Sequence, residues 1–152
     1  MNDENERAVN VLLVEDSDDE ALLTRKGLER SGLPVRVLRV SGGEECLRCL
    51  RRQGEFAGGD APDLVLLDLN MPGMTGREVM AEIVSDETIR HMPVVVLTTS
   101  DAESDVRTMY RLRCSSYVTK PVDYDEFCEL IEEVCRYWIS TVVRPTPGAA
   151  DA

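Results

Sequence analysis

Short runs of β-branched and other apolar residues alternate five times with amphipathic segments along this chain. The runs are Val11–Val14, Val35–Val40, Leu64–Leu67, Val94–Leu97 and Tyr117–Val118. The first, third and fourth are continuously apolar, as in strands covered on both faces, whereas the second alternates with arginine and predicts an edge strand. Alternating strands and helices favour a parallel sheet joined by right-handed crossovers. We therefore expect an α/β three-layer sandwich, a doubly wound (βα)5 fold with strand order 2-1-3-4-5.

Each predicted strand is followed by a helix-start pattern. A capping residue stands three positions before a glutamate at Ser17, Ser41, Thr75, Ser100 and Asp123. In this pattern the capping side chain accepts from a free backbone amide, and the glutamate can bond back to the cap residue. Gly32 and Gly54 are predicted helix stops, and residues 54–62 form an unusually long predicted loop. The repeated pattern supports the alternation of strands and helices.

Length and composition narrow the class of protein. The 152 residues suit one globular domain, which we place at residues 9–143 between flexible termini at 1–8 and 144–152. The chain lacks an apolar run of the roughly 18 to 20 residues that cross a bilayer, and its acidic start is unlike a signal peptide, so a cytoplasmic protein without membrane contact is expected. A net charge of −12 confers solubility and argues against nucleic-acid binding.

The five cysteines are an odd number, which argues against a disulfide framework. Cys46 and Cys49 resemble half of a zinc site, but the sequence has no second pair with this spacing, and the one histidine, His91, is remote. Their spacing of three also places both on one face of a helix. We interpret the cysteines as small core residues.

Polar and charged residues follow four of the five predicted strands. They are Glu15 and Asp16, Asp68 and Asn70, Thr98, and Lys120. We expect them to lie together, because ligands of such sheets bind at the carboxyl ends of the strands. Two carboxylates about 4 Å apart repel by roughly 4 kcal/mol at an effective dielectric near 20. The cluster therefore raises a carboxyl pKa or binds a cation, and oxygen ligands favour Mg²⁺, with Mn²⁺ as the second choice.

These groups together describe phosphoryl transfer. Asp68 can attack phosphorus and form an aspartyl phosphate, while Lys120 and the Thr98 hydroxyl contact the transferred oxygens. Taken one at a time, these residues also have ordinary structural interpretations. Glu15 and Asp16 could be acidic residues at the start of a helix, and Lys120 could be a surface lysine. The combination favours the chemistry.

Four motifs resemble the receiver domains of two-component response regulators over residues 9–140. They are VLLVEDS (11–17), LVLLDLNMPGMTG (64–76), VVVLTTS (94–100) and YVTKP (117–121). The resemblance implies a flavodoxin-like fold and a phosphoryl group that passes from a sensor histidine kinase to Asp68. It implies Mg²⁺ ligands at Glu15, Asp16, Asp68 and the backbone carbonyl of Asn70, phosphate contacts from Thr98 and Lys120, and an aromatic switch at Tyr117 that turns inward. It also implies a cis peptide bond between Lys120 and Pro121.

The chain departs from the usual receiver pattern at three places. Glu15 stands where aspartate is more usual, Thr99 where alanine or glycine is, and Cys114–Ser116 replaces a Gly-Ala turn. A narrower resemblance is carried by the 54–62 loop, GREVMAEIVSDETIRHMPVVVLTTS (76–100) and EEVCRYWISTVVRPTP (132–147). These segments are similar to stand-alone regulators paired with bacterial phytochromes, while another sensor kinase stays open as the partner.

The last predicted helix, from Tyr124 to about Val143, is roughly 30 Å long and would overreach the sheet. Its overhanging end is apolar, and exposed apolar area usually meets a partner. We expect a homodimer through the fourth and fifth helices and this tail, with an interface that includes Tyr137, Trp138, Ile139 and Val142. The alternative is a tail that folds back on its own domain.

The leading function is a signalling switch rather than an enzyme, with only intrinsic self-phosphorylation from small donors and self-dephosphorylation. About ten residues follow the last predicted helix, too few for a DNA-binding output domain. A phosphatase of the haloacid-dehalogenase type would need a second acidic residue where Asn70 stands. A receiver that binds partners without phosphorylation is the remaining alternative, and the presence of both Asp68 and Lys120 argues against it.

Overall fold

A computed structural model describes residues 8–145, and it confirms the predicted sheet. The strands are β1 (Val9–Val14), β2 (Val35–Val40), β3 (Leu64–Leu67), β4 (Val94–Thr98) and β5 (Ser116–Thr119). All neighbours pair in parallel in the order β2-β1-β3-β4-β5. The helices are α1 (Asp18–Arg30), α2 (Gly43–Leu50), α3 (Gly76–Ser85), α4 (Glu103–Arg111) and α5 (Tyr124–Cys135). The termini predicted at 1–8 and 144–152 fall mostly outside the described residues.

The helices cover both faces of the sheet, which explains why the central strands are apolar throughout. One core layer joins the sheet to α2, α3 and α4, and the other joins it to α1 and α5. Strands β1, β3 and β4 are almost wholly buried, whereas β2 alternates between half-buried and exposed residues, as expected of an edge strand. All five cysteines are buried thiols, which confirms their reading as core residues. Among residues 8–145, no helix is long and apolar enough to cross a membrane.

Three of the five predicted helix caps are confirmed. Ser17, Thr75 and Asp123 each accept from the backbone amide of the glutamate three residues on, and Thr75 forms a full capping box. The predictions for Ser41 and Ser100 are wrong, because α2 and α4 are capped one and two residues later, at Gly42 and Ala102. Each serine hydroxyl is instead bonded to an acidic side chain farther along the chain.

The turns after α1 and α2 contain the predicted glycines. Gly32 and Gly54 have φ of 70° and 57°, in the left-handed region that glycine tolerates best. Arg113 adopts φ of 68° at the end of α4, where the Cys114 amide donates to the Met109 carbonyl. This helix ending normally carries glycine, so an arginine here closes the corner before β5 at a steric cost.

The Lys120–Pro121 peptide bond is trans, so the predicted cis bond is wrong. The Lys120 amide donates to the Thr98 carbonyl at 2.7 Å and prolongs the pairing of β4 with β5. The trans isomer is intrinsically preferred by about 0.5–1 kcal/mol before proline. The observed strand end is compatible with that preference.

The C-terminal helix changes character before its predicted end. After Cys135 it continues as a π-helical segment, Arg136–Thr141. Trp138 and Ile139 pack against the core layer of α1 and α5. Arg144 donates to the backbone carbonyls of both residues, at 2.5 and 3.1 Å. Part of the tail therefore folds back on its own domain.

Helices α1 and α5 approach each other closely at Gly27, and this contact yields a test of the fold. A Cβ at Gly27 would lie 2.6 Å from the Cβ of buried Ile131. We expect Gly27→Ala to lower the free energy of unfolding by about 1–2 kcal/mol, because overpacking outweighs the gain in helix propensity. Urea denaturation measures the change. Gly58→Ala is the control, since a Cβ there meets nothing within 4 Å; equal losses in both variants would contradict the packing.

Candidate functional site

Three carboxylates meet where β1 and β3 end. Oxygen atoms of Glu15, Asp16 and Asp68 lie within 4.8 Å of one another. Backbone hydrogen bonds fix these positions: the Glu15 amide donates to the Val40 carbonyl at 3.0 Å, and the Asp68 amide donates to the Val14 carbonyl at 3.1 Å. The sheet itself therefore aims the side chains at one point, as predicted.

Lys120 supplies the opposite charge from the end of β5. Its Nζ lies 2.5 Å from Glu15 Oε1, 3.4 Å from Glu20 Oε1 and 3.9 Å from Asp68 Oδ2. Lys120, Glu15 and Asp68 are only 5%, 1% and 7% exposed, respectively. Buried charges of this kind are stable only when paired, so the ammonium and the carboxylates depend on each other.

Burial also changes the acidity of this group. Burial raises the pKa of Glu15 to about 7. The hydrogen bond from Lys120 and its positive charge lower this pKa, but by less than burial raises it. The nearby Asp68 carboxylate raises it further. Burial alone would lower the pKa of Lys120, but its hydrogen bond to Glu15 and the surrounding carboxylates raise the pKa above its usual value. Lys120 is therefore a cation, and Glu15 exchanges its proton near neutral pH.

Thr98 and Asn70 form the wall beside Asp68. The backbone amide of Asn70 donates to Asp68 Oδ1 at 3.4 Å. The side-chain nitrogen of Asn70 donates to the Thr98 hydroxyl oxygen at 3.5 Å. Thr98 is fully buried at the end of β4, while Thr99 is exposed. Thr98 thus joins the cluster through Asn70.

Glycine is required immediately behind the Asp68 backbone. A Cβ at Gly76 would lie 2.7 Å from the Asp68 carbonyl oxygen and 2.7 Å from the Leu69 Cα. Both contacts are to backbone and cannot swing away, so the start of α3 can approach the loop after β3 only through glycine. This close approach holds the loop that carries Asp68.

Tyr117 occupies a different part of the structure. Its hydroxyl donates to the Ser100 backbone carbonyl at 2.7 Å, and its ring packs partly buried against the core layer of α2, α3 and α4. The predicted aromatic switch therefore contacts the loop between β4 and α4 rather than the carboxylates.

Sequence reasoning missed two parts of the site. Glu20 is the glutamate of the helix-start pattern at Ser17, yet it is also one of the three carboxylates around Lys120. Glu20 follows Glu15 by five residues, which places it in the first turn of α1, close to the end of β1. This spacing was the sequence signal that could have indicated its place in the site. The second omission is a polar group formed by Arg77, Asp105 and Ser100 next to Tyr117.

The donor set fits a small, hard divalent cation. Three carboxylates offer oxygen ligands, the kind that Mg²⁺ and Mn²⁺ prefer, and the exposed Asp16 leaves one side open to water. With Glu20 included, the site contains four carboxylates and one ammonium, so it retains negative charge that a cation would balance.

The fold and this site define a class of protein. The sequence matches the response regulator receiver domain over residues 11–132, and the chain belongs to this family. The resemblance, the flavodoxin-like fold and the signalling class predicted from the sequence are thereby confirmed. Receiver domains bind Mg²⁺ or Mn²⁺ in an acidic pocket, and the carboxylate cluster of this chain matches that predicted cofactor.

Several relatives match along nearly their whole length. Response regulator Rcp1 of Synechocystis sp. (strain ATCC 27184 / PCC 6803 / Kazusa) is 36% identical over 95% of this chain and 99% of its own. The Mn²⁺-bound structure of Rcp1 has a TM-score of 0.85, covering 91% of this chain and 99% of that one. The phosphorylated cyanobacterial phytochrome response regulator RcpA is 38% identical with a TM-score of 0.88, covering 92% and 100%.

A relative of another kind matches almost as well. The probable methanogenesis regulatory protein FilR2 of Methanothrix harundinacea (strain 6Ac) is 37% identical over 91% of this chain and 88% of its own. The narrower resemblance to phytochrome-associated regulators is confirmed by RcpA.

The acidity of Glu15 predicts how cation binding depends on pH. A proton and a divalent cation compete for the same carboxylate, so we expect Mg²⁺ affinity to fall as the pH drops below about 7, by up to about tenfold per pH unit. Calorimetric titration with MgCl₂ between about pH 6 and pH 8 measures this. Glu15→Gln should bind more weakly and with a flatter pH profile, whereas Glu44→Gln, an exposed control, should behave as the native chain. Identical pH profiles for all three would contradict the assignment.

Proposed function

We propose that this response regulator is a phosphorylation switch in which Asp68 accepts a phosphoryl group from the histidine of a sensor kinase. The observation that carries the proposal is the Lys120 ammonium, which lies 3.9 Å from the Asp68 carboxylate inside the three-carboxylate cluster. An acceptor carboxylate, a fixed cation and a group of oxygen ligands are what phosphoryl transfer requires.

Each residue has a defined part in the transfer. An oxygen of Asp68 attacks phosphorus as the phosphorus–nitrogen bond to the kinase histidine breaks, and the phosphoryl group becomes an acyl phosphate. Asp68 needs no general base when it is ionised, because it already carries the attacking electron pair. Lys120 and the Thr98 hydroxyl stabilise the charge on the transferred oxygens. Mg²⁺ bound by Glu15, Asp16, Asp68 and the Asn70 carbonyl would neutralise further charge on the phosphoryl group.

The ion pair of Lys120 with Glu15 must loosen during this reaction. Lys120 Nζ is 2.5 Å from Glu15 but 3.9 Å from Asp68, so it shifts toward Asp68 to contact a phosphoryl oxygen. A cation held by Glu15 would also weaken the attraction between Glu15 and Lys120. The same residues support self-phosphorylation from small donors such as acetyl phosphate and slow self-dephosphorylation by water.

The signal leaves the site through Thr98 and Tyr117. Thr98 accepts from the Asn70 side chain at 3.5 Å and, by moving toward Asp68, can donate its hydroxyl proton to a phosphoryl oxygen. Its movement opens space beneath the loop between β4 and α4, where the Tyr117 hydroxyl is bonded. Phosphorylation therefore stabilises the inward position of Tyr117 and one conformation of the α4 face.

We infer a sensor histidine kinase as the phosphoryl donor, and a bacterial phytochrome as the first candidate. RcpA, a cyanobacterial phytochrome response regulator, supports this choice through its 38% identity over 92% of the chain. FilR2, at 37% identity, supports a different sensor kinase as the alternative. A reaction that depends on a kinase and on free Mg²⁺ also favours a cytoplasmic location.

Labelling with a small donor tests the proposed acceptor. We expect incubation with Mg²⁺ and acetyl phosphate to add the mass of one phosphoryl group to the native chain, and Asp68→Asn to abolish it, because an amide oxygen is a poor nucleophile toward phosphorus. Intact-mass spectrometry gives the result, and Asp101→Asn, which changes an exposed aspartate, is the control. A native chain that gains no mass would instead favour an interaction module independent of phosphorylation.

We also propose a homodimer through α4, α5 and the C-terminal tail. Tyr137 is 53% exposed and Val143 99% exposed on the tail, and Tyr110 is 51% exposed on α4, so apolar surface remains on these elements. Trp138 and Ile139 pack mainly on their own domain, which moves the proposed interface toward Tyr137, Val142 and Val143. Dimerisation would link the α4 face to signal output.

Light scattering tests the dimer. We expect Val143→Asp to raise the dimer dissociation constant at least about fivefold, because a charge would be buried at the contact. Val122→Asp changes an equally exposed valine before α5 and should have little effect. A native chain that stays monomeric with and without phosphorylation would refute the dimer.

A further inference from the structure

A polar group connects α3, α4 and the loop between β4 and α4. Arg77, in the first turn of α3, forms an ion pair with one oxygen of Asp105 on α4. The other oxygen of Asp105 accepts from the Ser100 hydroxyl at 2.5 Å. One carboxylate therefore joins two helices and the intervening loop, and we name Arg77, Asp105 and Ser100 the loop latch.

Helix α4 depends on such contacts because its packing is slight. Met109 is the side chain that this helix buries completely. The cap residue, Ala102, carries a methyl group that cannot accept a hydrogen bond, so the first turn lacks the support that Ser17 and Thr75 give to α1 and α3. The position of α4 is consequently set to a large extent by polar contacts at its start.

The loop latch also positions the backbone carbonyl that Tyr117 contacts. Ser100 uses its hydroxyl for Asp105, while its backbone carbonyl accepts from the Tyr117 hydroxyl at 2.7 Å. The Ser100 amide in turn donates to the Thr98 hydroxyl at 3.4 Å. The same residue thus connects the latch, the aromatic ring and the threonine beside Asp68.

We propose that Arg77 and Asp105 are positioning residues: they hold Ser100 in the place where its backbone carbonyl accepts from the Tyr117 hydroxyl in the inward position. Through this contact they set the population of the signalling conformation before any phosphorylation. The proposal rests on the proposed function, because it assigns Tyr117 the role of the switch. Phosphorylation and the latch then favour the same conformation, and by linkage a chain that has lost the latch is phosphorylated less readily.

The charges around Asp105 agree with a functioning contact. The hydrogen bond from Ser100, followed by the contact with Arg77, lowers the pKa of Asp105, so the carboxylate stays ionised through the neutral range. Arg77 and Asp105 side chains are partly buried, which screens their attraction less than that of the neighbouring Arg107–Glu103 pair on the outer face of α4. That exposed pair is a matched control on the same helix.

Fluorine NMR of the full chain labelled with 3-fluorotyrosine tests the latch directly. The chain has four tyrosines, and Tyr117→Phe identifies the Tyr117 signal. In the native chain we expect the fluorine chemical shift of Tyr117 to differ from the shifts of the other three tyrosines, whose rings are exposed. In Arg77→Ala and in Asp105→Ala the Tyr117 shift should move toward those of the exposed rings, whereas in Arg107→Ala it should stay unchanged.

Labelling rates give a second readout. We expect Arg77→Ala and Asp105→Ala each to slow labelling by acetyl phosphate about two- to fivefold, the range of one partly exposed ion pair. The double variant should be no slower than the slower single one, because both changes remove the same contact. Multiplicative slowing in the double variant would overturn the shared role, as would equal slowing in Arg107→Ala.

The outcomes separate this proposal from the one it rests on. The fluorine signal is recorded without a phosphoryl donor, so a native chain that fails to label would refute the phosphorylation switch whatever the tyrosine does. A Tyr117 signal that is unchanged in Arg77→Ala and Asp105→Ala, in a chain that labels normally, would refute the latch alone. If Asp105→Ala does not fold, Asp105→Asn, which keeps the side-chain shape but loses the charge, takes its place.

Discussion

The buried ammonium of Lys120 is the interaction on which the rest of this structure depends. It lies among Glu15, Glu20 and Asp68 at the convergence of β1, β3 and β5. Removing such a charge from water is costly unless partners compensate it, and one ammonium cannot balance every carboxylate there. The residual negative charge makes the site receptive to a divalent cation, and the fixed positive charge makes it receptive to a phosphoryl group. One electrostatic arrangement thus favours both ligands.

The fold and most of this cluster could be predicted from the sequence because their signals are local. Continuous apolar runs such as Leu64–Leu67 identify buried parallel strands, and the order of such sheets is one of a few. Once the order is assumed, the residues after each strand must converge. Glu15, Asp68 and Lys120 therefore came together as expected although Glu15 and Lys120 are 105 positions apart.

The start of α4 and the position of the C-terminal tail could not be predicted, because they depend on tertiary contacts that a pattern of residues along the sequence does not contain. Ser100 fits a helix-cap pattern, yet its hydroxyl bonds to Asp105, because α4 begins later than the pattern suggests. The tail looked like an overhanging helix, but Trp138 and Ile139 found apolar contacts on their own domain. In both cases tertiary contacts outweighed a local preference. Such outcomes follow from side-chain geometry, which the spacing of residues does not encode.

The structure also connects the site to a distant surface in a few steps, from Asp68 through Asn70 and Thr98 to Ser100 and Tyr117. All of these steps presuppose that the phosphoryl group is carried by Asp68. Reduction of the labelled chain with borohydride, followed by peptide mass spectrometry, tests that claim most directly, because it converts an aspartyl phosphate to homoserine. We expect homoserine at position 68. Reduction products at Glu15 or Asp16 instead, with Asp68 unchanged, would contradict it.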